Sequence, residues 1–328
     1  MKLISFTSGA GTHVGVVDAK KGLIADLTSL SPDTPAFASM LALIDAGECA
    51  VGEARNLSDA AMKQGRVVPL ETVRLLAPLP NPRQIRDFTS FPTHIRQAPT
   101  GMQRIAARRR GDEAAAQSAR PQADIPEIYK DRPIYYISNR FSIGGPDEDV
   151  IWPDYSELMD FELEFAFVVG RKGRNIPANA AADHIFGYMV YNDFSARDTQ
   201  FLEMQGMLGP AKGKSFDGGN VFGPWLVTRD EIADAGNLTM QVRVNGETWA
   251  KGSSSDMLFT CEDMLSYVSR EETIHAGEIF GSGTVGNGCG LEQDRYLQHG
   301  DLIELEVEGL GILRNRVLRH KPFDLAAE

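Results

Sequence analysis

The sequence predicts a mainly β protein of the α+β kind, with a small N-terminal domain over residues 1–78 and a larger domain over 79–328. Three observations carry this. Strand-like runs recur along the whole chain, the connections between them are too short for repeated βαβ units, and a high glycine content supplies turns. The stretch at the centre is Asp160 to Gly170. Phe161, Leu163, Phe165, Phe167 and Val169 alternate onto one face of a strand, and Glu162, Glu164, Ala166 and Val168 fall on the other. Two carboxylates two residues apart on a mostly apolar face repel each other unless a cation lies between them. The competing reading is an edge strand whose glutamates reach solvent.

Taken in order, Lys2–Thr7, Thr12–Asp18 and Gly22–Asp26 read as short strands. Residues 35–65 read as helix from the spacing of Ala36, Met40, Leu43 and Ile44, and then of Ala54, Leu57, Ala61 and Met62. The cluster Pro78-Leu79-Pro80-Asn81-Pro82 marks the domain boundary. Beyond His94, a segment rich in Ala, Arg and Gln reads as a solvated helix, or as a lid over about 92–130 that brings a cation to an anionic ligand. Residues 132–139, 147–152 and 186–193 read as strands. Ser195 to about Gln205 reads as helix, and 206–223 as a glycine-rich loop carrying Lys212 and Lys214. A hairpin turning on Asn245-Gly246 spans 239–251. Thr260-Cys261-Glu262-Asp263 resembles a capping box for a helix to Ser269. The run Gly277–Thr284 reads as a strand closing on a glycine turn, and a final hairpin joins 302–307 to 312–317.

Composition narrows the function. The net charge of −12 argues against a nucleic-acid partner. No apolar run is long enough to span a bilayer, and the N-terminus lacks a sustained apolar core. Cys49, Cys261 and Cys289 form no paired framework, which points to a reducing compartment. A cytoplasmic protein without a membrane partner is therefore expected. No Walker A sequence, no GxGxxG after a strand and no Gly-x-Ser-x-Gly elbow is present.

Four acids stand out by context: Asp87 after the proline cluster, Glu162 and Glu164 on the central strand, and Asp193 at a strand end. Oxygen ligands from separate strands suit Mg²⁺ first, or Mn²⁺ or Ca²⁺, at about 2.0–2.6 Å. The sequence contains no His/Cys cluster that argues for zinc.

The segments Asp87-Phe88-Thr89-Ser90-Phe91 with His94, Phe161-Glu162-Leu163-Glu164, Asn192-Asp193-Phe194-Ser195-Ala196-Arg197-Asp198-Thr199-Gln200, Lys214-Ser215-Phe216, Gly223-Pro224-Trp225 and Ser282-Gly283-Thr284 occur in this order. Together they resemble the fumarylacetoacetate hydrolase family from about residue 83 to the C-terminus. The resemblance implies a mixed β-sandwich roll with a small N-terminal β-rich domain, a divalent metal and a homodimer. It implies Asp87, Glu162, Glu164 and Asp193 as metal ligands. His94 is implied as general base, oriented by Glu292, with Lys214 steadying charge on a substrate oxygen. Tyr136, Arg197, Gln200 and Thr284 are implied as substrate contacts or their support. Arg197 and Gln200 follow Asp193 by four and seven and are expected to share a helical face with it. Arg96 and Arg104 are candidates for a substrate-recognising arginine. The other histidines, such as His13 and His320, have no comparable context. The expected activity is hydrolysis of a carbon–carbon bond in a small anionic 1,3-diketo acid of the acylpyruvate or fumarylacetoacetate kind, in catabolism of aromatic compounds. Decarboxylation of a β-keto acid, tautomerisation and hydration of an oxo-enoate are the alternatives on the same site.

Overall fold

The computed structural model describes residues 1–9 and 11–319. Residues 320–328 of the expected larger domain, His320 among them, lie outside the described residues. The backbone is organised by one large twisted sheet. Its path runs Val68–Pro69, Leu23–Asp26, Gly11–Asp18, Lys2–Ser8, Asn220–Thr228, Ile185–Asp193, Leu163–Val169, Glu278–Gly281, Gln84–Phe88 and Tyr135–Ser138. A second, five-stranded sheet runs Glu247–Ser253, Thr239–Val244, Leu302–Val307, Gly311–Arg319 and Asp149–Trp152. The two sheets pack face to face as the sandwich layer of an α+β roll.

The strand Leu163–Val169 is buried over its whole length, because both of its faces are covered. Phe165, Phe167 and Val169 point into a core shared with Met240, Val242, Leu305 and Leu313 of the second sheet. Ala166 and Val168 point the other way, into a core shared with Phe37, Met40, Leu43 and Ile44. Those residues belong to the helical segment Met40–Gln64 and the turn before it, and the segment kinks at Gly47, where φ is +69°. An apolar pattern on both faces is what a strand covered on both sides requires. It also removes solvent as an outlet for Glu162 and Glu164, so the edge-strand reading does not hold.

The first 78 residues do not stand apart in the hydrogen bonding. Lys2–Ser8 pairs antiparallel with Asn220–Thr228, aligning Lys2 with Val227 and Leu3 with Leu226. The N-terminal strands thereby continue the main sheet across more than two hundred residues of sequence.

Local signals in the sequence are realised locally. Asn245 and Gly246 both take positive φ in the hairpin turn, and Thr260 and Asp263 form the reciprocal capping box of the helix Cys261–Val268. The segment after His94 forms the helix Pro92–Arg109, a short helix Glu113–Ser118 and a single turn Ile128–Asp131. Proline at the first helical position suits the start of the long helix, since its missing N–H has no intrahelical partner to lose. This helix packs against the turn Gly290–Gln293 through Ala98, Met102 and Ile105 on one side and Cys289 and Leu291 on the other. The approach is close at Gly101, where a β-carbon would stand 2.5 Å from the side chain and carbonyl oxygen of Leu291. Gly101→Val is therefore expected to push the helix carrying His94 outward, at a cost of about 1–3 kcal/mol. A thermal melt and a turnover assay check this, and wild-type values in both would show that the two elements are not held together here.

Candidate metal centre and proton-transfer site

The four expected ligands converge. Asp87 lies in the strand Gln84–Phe88, Glu164 in the central strand, Glu162 just before it, and Asp193 at the end of Ile185–Asp193. Each contributes a carboxylate oxygen to a group whose atoms lie within 4.8 Å of one another, and all four residues are buried. Neighbouring strands bring them together. Gly281 aligns with Asp87 across a parallel pair, and Ala166 with Gly281 across an antiparallel one. Gly281 also leaves room for the ligand, because a β-carbon there would stand 2.4 Å from Asp87 Oδ1.

The surrounding donors hold part of this charge. Lys214 Nζ donates to Glu162 Oε2 at 2.7 Å and to Asp193 Oδ2 at 2.5 Å. Tyr136 Oη donates to Asp193 Oδ2 at 2.7 Å. Glu164 accepts from the Gly283 N–H at 2.9 Å and from Thr284 Oγ1 at 3.2 Å. Asp87 Oδ1 and Asp193 Oδ1 are buried with no hydrogen-bond partner among the described residues. Two orphaned carboxylate oxygens in a buried, all-oxygen donor set are what a hard divalent cation would satisfy, so these residues fit such an ion.

Electrostatics divide the acids into two kinds. Burial and then the charge of Asp193 raise the Asp87 carboxyl well above its ordinary range, and burial and then Asp87 do the same for Glu164. Burial also pushes on Glu162, but Lys214 and Arg197 override it and hold that carboxyl below its usual range. The sign of the pH dependence follows. Raised carboxyls hold protons in the metal-free fold and must release them to take up a cation. Affinity for Mg²⁺ is therefore expected to rise with pH. The metal-free protein is expected to lose stability as pH rises through those elevated values, because the stability that the protonated forms contribute is lost there. Calorimetric titration and melting at acidic and mildly alkaline pH measure both, and a flat affinity would contradict the arrangement.

Arg197 and Gln200 lie elsewhere than expected. Asp193 ends a strand and the helix Arg197–Met204 begins only after it, so the three share no helical face. Arg197 is fully buried. Its Nε donates to Asp160 Oδ2 at 2.7 Å, Nη1 donates to Gln200 Oε1 at 2.9 Å, and Nη2 stands 2.8 Å from Glu162 Oε1. It braces the candidate ligand Glu162, and Gln200 braces Arg197. Asp160 completes this support: it accepts the backbone N–H groups of Gly290 and Leu291 at 2.7 and 2.8 Å. The turn that presents Glu292 is thereby tied through Asp160 and Arg197 to Glu162.

His94 sits in the first turn of Pro92–Arg109, with Nδ1 3.5 Å from Glu292 Oε1. Glu292 Oε2 accepts the Cys289 backbone N–H at 3.3 Å and lies 3.4 Å from Cys289 Sγ, while Oε1 is buried without a hydrogen-bond partner. Cys289 Sγ lies 3.9 Å from His94 Nδ1. The expectation that no His/Cys cluster exists is corrected here, because the fold joins His94 to a cysteine 195 residues away. Arg104 Nη1 is 3.4 Å from the Glu292 carbonyl oxygen. Asp160 and Cys289 were not singled out as site residues in the sequence. Asp160 carried a usable signal, since it precedes Glu162 and Glu164 by two and four on the same alternation. Cys289 carried none.

The chain is similar to known proteins over nearly its whole length. A model described as fumarylacetoacetate (FAA) hydrolase C-terminal matches residues 104–318. The chain is 31% identical over 323 residues to human oxaloacetate tautomerase FAHD2A, mitochondrial, covering 97% of this chain and 92% of that one. It is 30% identical over 286 residues to oxaloacetate tautomerase YisK of Bacillus subtilis (strain 168), covering 85% and 86%. A solved structure of fumarylacetoacetate hydrolase from Exiguobacterium antarcticum matches with a TM-score of 0.72 at 28% identity, covering 98% of this chain and all of that one. The human relative and its bovine, rat and frog counterparts are named as mitochondrial, which overturns the cytoplasmic placement expected from the sequence.

Proposed function

The chain belongs to the fumarylacetoacetate hydrolase family, and on that premise we propose that it tautomerises a small 2-oxo acid of the oxaloacetate class between keto and enol forms. The observation that carries this reading is a histidine, faced by a buried glutamate oxygen, on a helix packed against the turn that Asp160 and Arg197 tie to a metal-competent acid cluster. Two relatives of 30–31% identity that bear the name oxaloacetate tautomerase support it.

Asp87, Glu162, Glu164 and Asp193 would hold the divalent cation, Mg²⁺ first among the oxygen-seeking ions. Bound there, it supplies positive charge against the oxygen that becomes negative as the enol forms. Glu292 Oε1 faces His94 Nδ1 at 3.5 Å and favours the tautomer with the proton on Nδ1, which leaves the Nε2 lone pair free to take up a proton. His94 takes a proton from the carbon flanked by the two carbonyl groups, and a proton returns to the neighbouring carbonyl oxygen. No water is consumed and no carbon–carbon bond breaks. Lys214, in reach of Glu162 and Asp193, steadies negative charge on the reacting oxygen. Tyr136 and Thr284 hold Asp193 and Glu164 in place, and Arg197 with Gln200 positions Glu162. The homodimer implied by the family is part of this proposal, and exposed Phe141, Met207 and Leu208 offer apolar surface for it.

Hydrolysis of an acylpyruvate is the second reading, favoured by the 28% identity to a solved fumarylacetoacetate hydrolase. A paired assay separates the two. Enol-oxaloacetate is followed spectroscopically as it converts to the keto form, and acylpyruvates are incubated in parallel and analysed for released acids. Accelerated enol decay without new acids supports tautomerisation. Release of two acids, with enol decay at the buffer rate, replaces it with hydrolysis.

A further inference from the structure

We propose that His94, Cys289 and Glu292 form a second cation site, selective for thiophilic ions such as Zn²⁺, whose occupation switches the proton-transfer histidine off. The existence of the site stands on geometry alone, and its effect on turnover rests on the reading above. Ligand lengths to Zn²⁺ of about 2.0–2.1 Å for nitrogen, 2.3 Å for sulfur and 2.0–2.2 Å for oxygen give tetrahedral edges of about 3.4–3.6 Å. The separations here are 3.5 Å from His94 Nδ1 to Glu292 Oε1, 3.4 Å from Cys289 Sγ to Glu292 Oε2 and 3.9 Å from Sγ to Nδ1. The two shorter separations use different oxygens of Glu292; with one donor atom per residue the three atoms lie within 4.8 Å of one another, so small side-chain rotations would bring them to three corners of such a tetrahedron.

Two further features point to a ligand. Glu292 Oε1 is a buried carboxylate oxygen with no hydrogen-bond partner among the described residues, and it faces His94 Nδ1. The charges also match, because one thiolate and one carboxylate with a neutral imidazole neutralise a dication, and burial favours a neutral assembly. A thiol gives up its proton when it binds a thiophilic metal. Binding therefore forms the sulfur–metal bond as the thiol proton leaves to solvent, an exchange that Zn²⁺ and Co²⁺ drive and Mg²⁺ does not. The fourth corner is left to water.

The consequence is local. A cation on Nδ1 takes that nitrogen's lone pair and leaves the ring proton on Nε2, so the neutral imidazole has no free lone pair with which to act as a base. The two cation sites are neighbours, since Cys289 pairs with Glu162 in an isolated antiparallel bridge. They differ in donor type, with oxygen alone in one and nitrogen, sulfur and oxygen in the other.

The test is a Co²⁺ titration of the reduced, Mg²⁺-saturated protein. The expected result is a thiolate-to-cobalt charge-transfer band that saturates at a single equivalent, persists in Cys49→Ser and disappears in Cys289→Ser. Glu292→Gln is expected to weaken Co²⁺ binding more than roughly tenfold, and this variant serves if Cys289→Ser does not fold. Zn²⁺ at one equivalent is expected to inhibit enol-oxaloacetate conversion by the Mg²⁺-loaded wild type. Absence of the band, or a band undiminished in Cys289→Ser, overturns the site even if turnover is normal. A band with the expected variants and no tautomerase activity overturns the catalytic reading alone.

Discussion

His94→Gln is expected to lower turnover by about 10²–10⁴-fold, the range that a positioned general acid–base contributes, while leaving Mg²⁺ affinity near that of the wild type. The separation follows from where His94 sits. Its ring is placed by the helix Pro92–Arg109 and faces Glu292, outside the four-carboxylate group. Glutamine keeps a polar group of similar reach near Glu292 Oε1 but cannot take up a proton at neutral pH. Glu292→Gln is expected to fall in the same direction by less, because it leaves the imidazole present but no longer fixes its tautomer. Steady-state rates with enol-oxaloacetate, set beside calorimetric Mg²⁺ binding, measure both effects. Unchanged turnover in His94→Gln would remove the histidine from the chemistry. A parallel loss of metal binding would mean that it acts by holding the acid cluster together.

How much of this site was legible depends on how local each signal was. Glu162 and Glu164 could be read because a strand places alternate residues on one face, and their neighbours Ala166 and Val168 marked that face as dry. Asp87, Asp193 and His94 are ordinary residues singly and became readable only through the order of several short motifs. Arg197 shows the limit of reading by spacing. Its distance of four from Asp193 suggested a shared helical face, but the chain changes from strand to helix between them, and the guanidinium instead reaches Asp160 and Glu162. Cys289 approaches His94 only because a helix and a distant turn pack together at Gly101 and Leu291, a contact without local periodicity. The same holds for the pairing of Lys2–Ser8 with Asn220–Thr228, which joins strands on either side of the proline cluster at 78–82. Pairing across such separations is decided by which faces remain to be buried, and no window of sequence contains that information.

Glu164→Gln is expected to move stability and function in opposite directions. In the metal-free protein Glu164 is buried among Asp87, Glu162 and Asp193, and burial followed by Asp87 already raises its carboxyl well above the ordinary range. At a pH where this carboxyl has ionised, glutamine removes one negative charge from the group, and it keeps most of the local bonding. Its carbonyl oxygen can accept the Gly283 N–H, and the Thr284 hydroxyl can turn to accept from the new amide, where it now donates to Glu164. The metal-free melting temperature is therefore expected to rise, at roughly 2–4 °C for each kcal/mol of relieved repulsion. The further rise that Mg²⁺ produces in the wild type is expected to vanish, because a neutral amide is a poorer partner for a hard dication than a carboxylate. Turnover is expected to fall with it. Melting curves of both proteins with and without Mg²⁺ give all four values. If Mg²⁺ stabilises Glu164→Gln as much as the wild type, the ion does not sit among these carboxylates. If the metal-free variant melts lower than the wild type, the carboxyl is held by its hydrogen bonds more strongly than its neighbours repel it.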